Sequence, residues 1–233
     1  AGNATITAAD IDNGSTDACG IASLTVSPSN FSCANLGANT VTLTATDANG
    51  NIASANATVM VSDNLAPTVV TNSYTAVLDA TGQATIVPAD VDNGSFDNCS
   101  IASYSLDVST FNCNALGQNA VNLTVTDQSG NFATGTAIVS VVDNLAPSVS
   151  TQNITVQLNA SGQASIVPSQ INSGSSDNCG IVNYSLDVSN FTCADVGTNT
   201  VTLTAVDQSN NSSSATAIVT VVDNVAPTAV AQN

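Results

Sequence analysis

The 233-residue chain contains no Lys, Arg or His, and its 17 acidic residues, all Asp, give it a net charge of −17 at pH 7. Without those side chains there is no conventional base to activate a nucleophile and no cation to hold a thiolate, so the chain is not expected to be an enzyme. The same absence excludes nucleic acid, whose phosphates are bound through Lys and Arg, and the lack of an apolar run of 18 residues excludes a transmembrane helix, so no membrane insertion is expected.

The sequence is built on a repeat. DNLAP at 63–67 recurs as DNLAP at 143–147 and DNVAP at 223–227, a fixed step of 80 residues. The expected organisation is a partial repeat over 1–62 lacking its first strands, complete repeats over 63–142 and 143–222, and over 223–233 a linker with the first strand of a following repeat. The opening AGNATITAAD lacks the basic start and apolar core of a signal peptide, which suggests a mature or internal fragment.

Taken in chain order, the copy at 63–142 shows strand signals at TVVTN (68–72), YTAVL (74–78) and QATIVP (83–88). PADV, which can start a single helical turn, leads into a polar loop. IASYSLDV (101–108), AVNLTVTD (120–127) and FATGTAIVSVV (132–142) follow. Val121, Leu123 and Val125 alternate with Asn and Thr, the period of a strand buried on one face. No 3.6-residue period lasts long enough for a long helix. Six or seven short strands in 80 residues predict an all-β chain of tandem immunoglobulin-like β-sandwich repeats in a linear array. With only five Phe, three Tyr and no Trp, each core depends on small branched side chains and benefits from staples.

The cysteines recur at fixed places in the repeat. The shortest connectivity is one disulfide inside each copy, Cys19–Cys33, Cys99–Cys113 and Cys179–Cys193, and no CxxC or His supports zinc. Disulfides in every copy imply an oxidising, extracellular compartment.

The Asp residues cluster at recurring positions: the loop DIDNGSTD with its copy DVDNGSFD, the turn at Asp47, Asp127 and Asp207, and the DNxAP linker. Grouped oxygen ligands suit calcium. In an immunoglobulin-like domain these segments meet at the end where the chain enters, so calcium is expected at the repeat junctions. The candidate ligands are Asp63, Asn64, Asp90, Asp92, Asp97 and Asp127 in the second copy, and Asp143, Asn144, Gln170, Asn172, Asp177 and Asp207 in the third. The third site, with amides in place of two carboxylates, should bind more weakly. In the first copy Asp10, Asp12, Asp17 and Asp47 remain. Turn chemistry is the alternative reading, because Asp and Asn side chains bond the local backbone and Asn-Gly is a routine turn pair.

Two resemblances follow from these residues. VVDNLAP resembles the Asp-Asn-x-Ala-Pro joints of cadherins. VPADVDNGSFDNCSIASYSLDVSTFNC, NAVNLTVTDQSGN and VVDN resemble the HYR-like, immunoglobulin-type repeats of giant surface adhesins of gliding and other Bacteroidetes-type bacteria, including the SprB-type gliding adhesins. The resemblance implies export by a type IX system, display on the outer surface and a filament that binds a substratum. Three functions compete. One is a structural stalk of a secreted adhesin, its partners the neighbouring repeats. Another is a carbohydrate- or ice-binding module using Thr-bearing strand faces such as Val41-Thr42-Leu43-Thr44 and Val201-Thr202-Leu203-Thr204. The third is a filament subunit that completes another copy by strand addition.

Overall fold

In a computed structural model the chain is all-β, and residues 2–232 are described. Ala1 and Asn233, the outermost residues of the first and last expected segments, lie outside them. Two compact units are present: one comprises residues 1–73, 87–107 and 120–137, the other 74–86, 108–119 and 138–233.

The second unit shows the complete pattern. Gly197–Asp207 and Ser212–Val222 form a long antiparallel hairpin, with Val201 opposite Ala217 and Leu203 opposite Ala215. Ile181–Leu186 pairs antiparallel with Gly197–Asp207. Ile154–Gln157 adds parallel to Ser212–Val222, with Ile154 opposite Val219. The hairpin is long because alternate residues of both strands are apolar. Val201, Leu203, Ala205, Val219 and Val221 turn to one face and are buried, while Thr and Ser take the other. Across the core lies a short ribbon of Gln163–Ser165 and Asn190–Thr192. It delivers Phe191, 1% exposed, into a cluster with Leu158, Ile166 and Ile171.

The first unit repeats the same ladders. Ile21–Ser27, Gly37–Asp47 and Ile52–Val61 form a three-stranded sheet, and Asn3–Thr5 pairs with Asn30–Ser32 around the buried Phe31. Among the described residues no parallel strand lies beside Ile52–Val61 in that sheet. From the next copy, Ile101–Leu106 pairs with Gly117–Asp127 at 101–106 against 123–127. In the second unit Tyr74–Val77 lies parallel to the end of Phe132–Val142.

Several strand boundaries depart from the sequence reading. TVVTN is not a strand but makes two isolated bridges, Thr68 to Phe96 and Thr71 to Asp92. QATIVP contributes only Gln83–Thr85, because Pro88 begins the helical turn Pro88–Val91. IASYSLDV stops at Leu106, where the Asp107 carboxylate accepts from the Asn122 backbone N–H at 2.8 Å. Residues 223–232 form no strand, having no ladder partner among the described residues. No helix is long and apolar enough to cross a membrane, among the described residues.

Candidate metal centres and disulfide junctions

The disulfides run Cys33–Cys99 and Cys113–Cys179, each spanning 66 residues, with Cα atoms 5.1 and 5.3 Å apart. The expected pairs Cys19–Cys33, Cys99–Cys113 and Cys179–Cys193 do not form; Cys19 and Cys193 are free and exposed. The reason is visible around Cys179. Ile181–Leu186 carries the chain away for six residues, about 20 Å at strand rise. The next short strand, Asn190–Thr192, pairs with Gln163–Ser165 rather than folding back along it. Cys193 is thereby left at the far end, beyond the roughly 6 Å between Cα atoms that a disulfide spans. The second cysteine of one copy instead meets the first cysteine of the next. Closing a 66-residue loop stabilises by about 4 kcal/mol through the unfolded chain, against about 3 kcal/mol for the short loops expected.

Each bridge stands beside a carboxylate triad. Asp63, Asp97 and Asp127 each offer one oxygen, and these atoms lie within 4.8 Å of one another; Asp143, Asp177 and Asp207 do the same. Asp63 is brought in by the linker after the first copy. Its Oδ1 accepts from the Leu65 N–H at 3.1 Å and from Asn98 Nδ2 at 3.2 Å. Asp97 follows the polar loop and accepts from the Cys99 N–H at 2.7 Å. Asp127 ends its long strand and closes the next turn, accepting from the Ser129 and Asn131 N–H groups, both at 2.8 Å, and from Asn131 Nδ2 at 2.7 Å. Asn131 Nδ2 also donates to the Asp63 carbonyl at 3.0 Å, joining linker to turn. The second unit reproduces each contact through Asn178, Cys179, Ser209 and Asn211.

The decisive feature is what these carboxylates lack. Asp63 is 9% exposed and Asp143 4%, and their Oδ2 atoms are buried without a hydrogen-bond partner among the described residues. Asp97 Oδ1, Asp177 Oδ2 and Asn178 Oδ1 are in the same condition. Three ionised carboxylates at this spacing repel by about 3 kcal/mol per pair at an effective dielectric near 20. The chain has no cationic side chain to offset that repulsion. Burial pushes the Asp127 carboxyl up, but the Asn131 amide and the surrounding N–H groups outweigh it and hold the group below its ordinary value of 3.8. An all-oxygen donor set that is negative, buried and partly unpartnered fits calcium. Asp63, Asp97 and Asp127 would hold one ion, and Asp143, Asp177 and Asp207 another.

Several predicted ligands fall outside the triads. Asp90 accepts from the Val87 N–H at 2.8 Å, and Asp92 accepts from the Ser95 N–H at 3.1 Å. They cap a helical turn and close a loop, the turn chemistry that competed with metal binding. Asp10 and Asp12 do the same with Thr7 and Ser15. Asn172 accepts from the Ser175 N–H at 3.1 Å, and Gln170 from the Val167 N–H at 2.8 Å. Asn64 and Asn144 are exposed. Asp17 and Asp47 line one hollow together, without a third carboxylate from the described residues. Asn98, Asn131, Asn178 and Asn211 were not among the predicted site residues, although the recurring DNC and DxxxN strings contain all four. On the Thr-bearing face at 41–44 the hydroxyls make cross-strand bonds, Thr42 to Asn56 at 3.0 Å and Thr44 with Ser54 at 3.2 Å.

No protein-family model matches the chain, and no curated protein matches it. Among solved structures it is similar to protocadherin gamma B7 extracellular cadherin domains 1–4, at 15% identity and a TM-score of 0.34, covering 82% of this chain and 59% of that one. PcdhgB3 EC1-4 overlaps at 13% identity and a TM-score of 0.37, covering 91% and 66%. Mouse cadherin-23 EC22-24 overlaps at 14% identity and a TM-score of 0.35, covering 80% and 74%. The overlaps are loose, and the sandwich assignment rests on the strand ladders themselves.

Proposed function

We propose that the chain is a load-bearing, non-catalytic segment of an extracellular repeat array, the stalk of a secreted cell-surface adhesin. Its 80-residue repeats would be joined by disulfides and stiffened by calcium at each junction. The observation that carries this reading is the pair of Asp triads, whose buried oxygens have no partner in a chain without cations. Each triad combines a linker Asp with two Asp of the following copy, so an ion there would stiffen the entry to that copy. The disulfide beside it ties the same linker region covalently and requires an oxidising compartment. Carriage on the outer surface of a Bacteroidetes-type bacterium, as the sequence resemblance implies, fits both features. Thermal unfolding with calcium and with chelator tests the proposal. A midpoint raised by several degrees in calcium is expected, since an ion bound only by the folded state stabilises it by mass action. An unchanged midpoint would count against it.

A further inference from the structure

The cysteine connectivity decides which part of the chain carries a pull. Each bridge spans 66 residues of an 80-residue repeat, so a pull can cross from Cys33 to Cys99 and from Cys113 to Cys179 without passing through the residues between. The closed loops, 34–98 and 114–178, do not overlap, and the 14-residue step from Cys99 to Cys113 is the peptide that joins one bridge to the next. Inside the loops lie the linkers DNLAP at 63–67 and 143–147, together with the hairpin strands Gly37–Asp47, Ile52–Val61, Gly117–Asp127 and Phe132–Val142. A linker is the place in a repeat chain where few contacts cross. Here it sits within a closed loop and cannot be drawn out. Bridges confined to single copies would do the reverse, closing the 14-residue steps and leaving the 66-residue steps, linkers included, under tension. What the observed pairing leaves in the path is two short strands, Ile101–Leu106 paired with Gly117–Asp127, and Thr110–Asn112 paired with Gln83–Thr85. Pulled straight, that step spans at most about 50 Å, against about 290 Å for an unbridged repeat. The bridges are also covered. All four of their cysteines are half-buried, and bare glycine backbone packs on the earlier sulfur of each: a Cβ at Gly2 would come within 2.5 Å of Cys33 Sγ, and one at Gly82 within 2.8 Å of Cys113 Sγ. Thiol–disulfide exchange needs access to a sulfur, so this cover suits a bond that must persist under load.

We infer that a pull along this chain bypasses its linkers: it runs from copy to copy through Cys33–Cys99 and Cys113–Cys179, and the two bridges cap the length that the repeats can gain. The role rests on the load-bearing reading above, whereas the route rests on the connectivity alone. Calcium and cystine then have separate roles. Asp63 and Asp143 stand on linkers relieved of tension, so an ion at either triad steadies the linker and does not hold the copies together lengthwise. Loss of the ion changes stiffness and melting; loss of a bridge changes reach.

The two free, exposed thiols, Cys19 and Cys193, flank both bridges and serve as attachment points for maleimide handles. The labelled protein is pulled in optical tweezers until it gains no further length. With both bridges intact, three 14-residue steps remain in the path and the limit between the handles is about 160 Å. With a phosphine reductant the whole 174-residue step from Cys19 to Cys193 is drawn out, to about 600 Å. C33S/C99S and C113S/C179S, each keeping one bridge, should both stop at about 400 Å. These limits follow from covalent connectivity, so they hold even for a variant that folds poorly. A chain that reaches about 600 Å without reductant, or a reductant that adds no length, would overturn the inference. The oxidised limit is expected to be the same in calcium and in chelator, and a longer limit in chelator would overturn the separation of roles. Melting in the same two buffers keeps the two failures apart. If the limit holds while the midpoint ignores calcium, the route of the pull stands and only the calcium reading falls. If the midpoint responds to calcium while the oxidised chain lengthens fully, the route falls and the calcium reading stands.

Discussion

The loops at 88–97 and 168–177 occupy the same place in successive copies, yet two carboxylates of the first are amides in the second. Asp90 and Gln170 both accept from the backbone N–H three residues back, at 2.8 Å in each case. Asp92 and Asn172 both accept from the Ser N–H three residues on, at 3.1 Å in each case. An amide oxygen replaces a carboxylate oxygen without loss of geometry, so these positions use an acceptor and not a charge. Asp97 and Asp177, at the end of the same loops, are Asp in both copies, and each leaves an oxygen buried without a partner. The comparison separates turn acceptors from buried, unpartnered carboxylates within ten residues. The two amides of the third copy, Gln170 and Asn172, make these turn contacts and are not members of its carboxylate triad.

The predictions follow that separation, from the largest effect to the smallest. Replacing both cysteines of either bridge by Ser should cost about 4 kcal/mol by chemical denaturation, a loop-closure effect independent of the triads. D63N or D143N should lower calcium affinity at its own site by more than the roughly 10–100-fold typical of an outer-shell partner, leaving the other site unchanged in a calorimetric titration. N131A and N98A, which remove groups that orient the carboxylates, should fall within that 10–100-fold range. D90N and D92N should leave calcium affinity unchanged and alter stability by no more than about 0.5 kcal/mol. A loss of binding on D92N as large as on D63N would erase the distinction drawn between the loops.

Acid sharpens the same contrast. Side-chain and backbone hydrogen bonds from Asn51 hold Asp47 below the ordinary 3.8, and Asp127 is lowered by its own turn. Both groups have folded values below their unfolded ones, so their stabilisation is fully present above about pH 4 and is lost as pH falls through the lower folded values. In chelator the melting temperature should hold from neutral pH to about 4 and decline below. In calcium, protons compete with the ion for the same carboxylates, so the calcium-dependent part of the midpoint should vanish over that acid range.

The fold class was legible because Val121, Leu123 and Val125 alternate and the linker recurs at a fixed step. Strand ends were less so, since TVVTN has strand composition but finds only isolated bridges. Six of the predicted ligands form the triads because their positions recur on the linker, the loop end and the hairpin turn. Asp90 and Asp92 make turn contacts that the sequence could not tell from ligation, because a turn acceptor and a calcium ligand are the same residue type; the copy bearing Gln170 and Asn172 keeps the same contacts without a carboxylate. The disulfide partners were missed because the shortest loop ignores the reach of an intervening strand. That pairing depends on three-dimensional placement, and the regular cysteine spacing is compatible with either connectivity.

The account's central claim is that each triad, and not the loop before it, holds an ion. Calorimetric titration with calcium of the chain whose two free cysteines are replaced, C19S/C193S, tests it most directly. Two ions per chain with affinities within about tenfold of each other are predicted, since the two triads share their carboxylates and hydrogen-bond partners and their outer shells are matched. A single ion, none, or a second site far weaker than the first would contradict it.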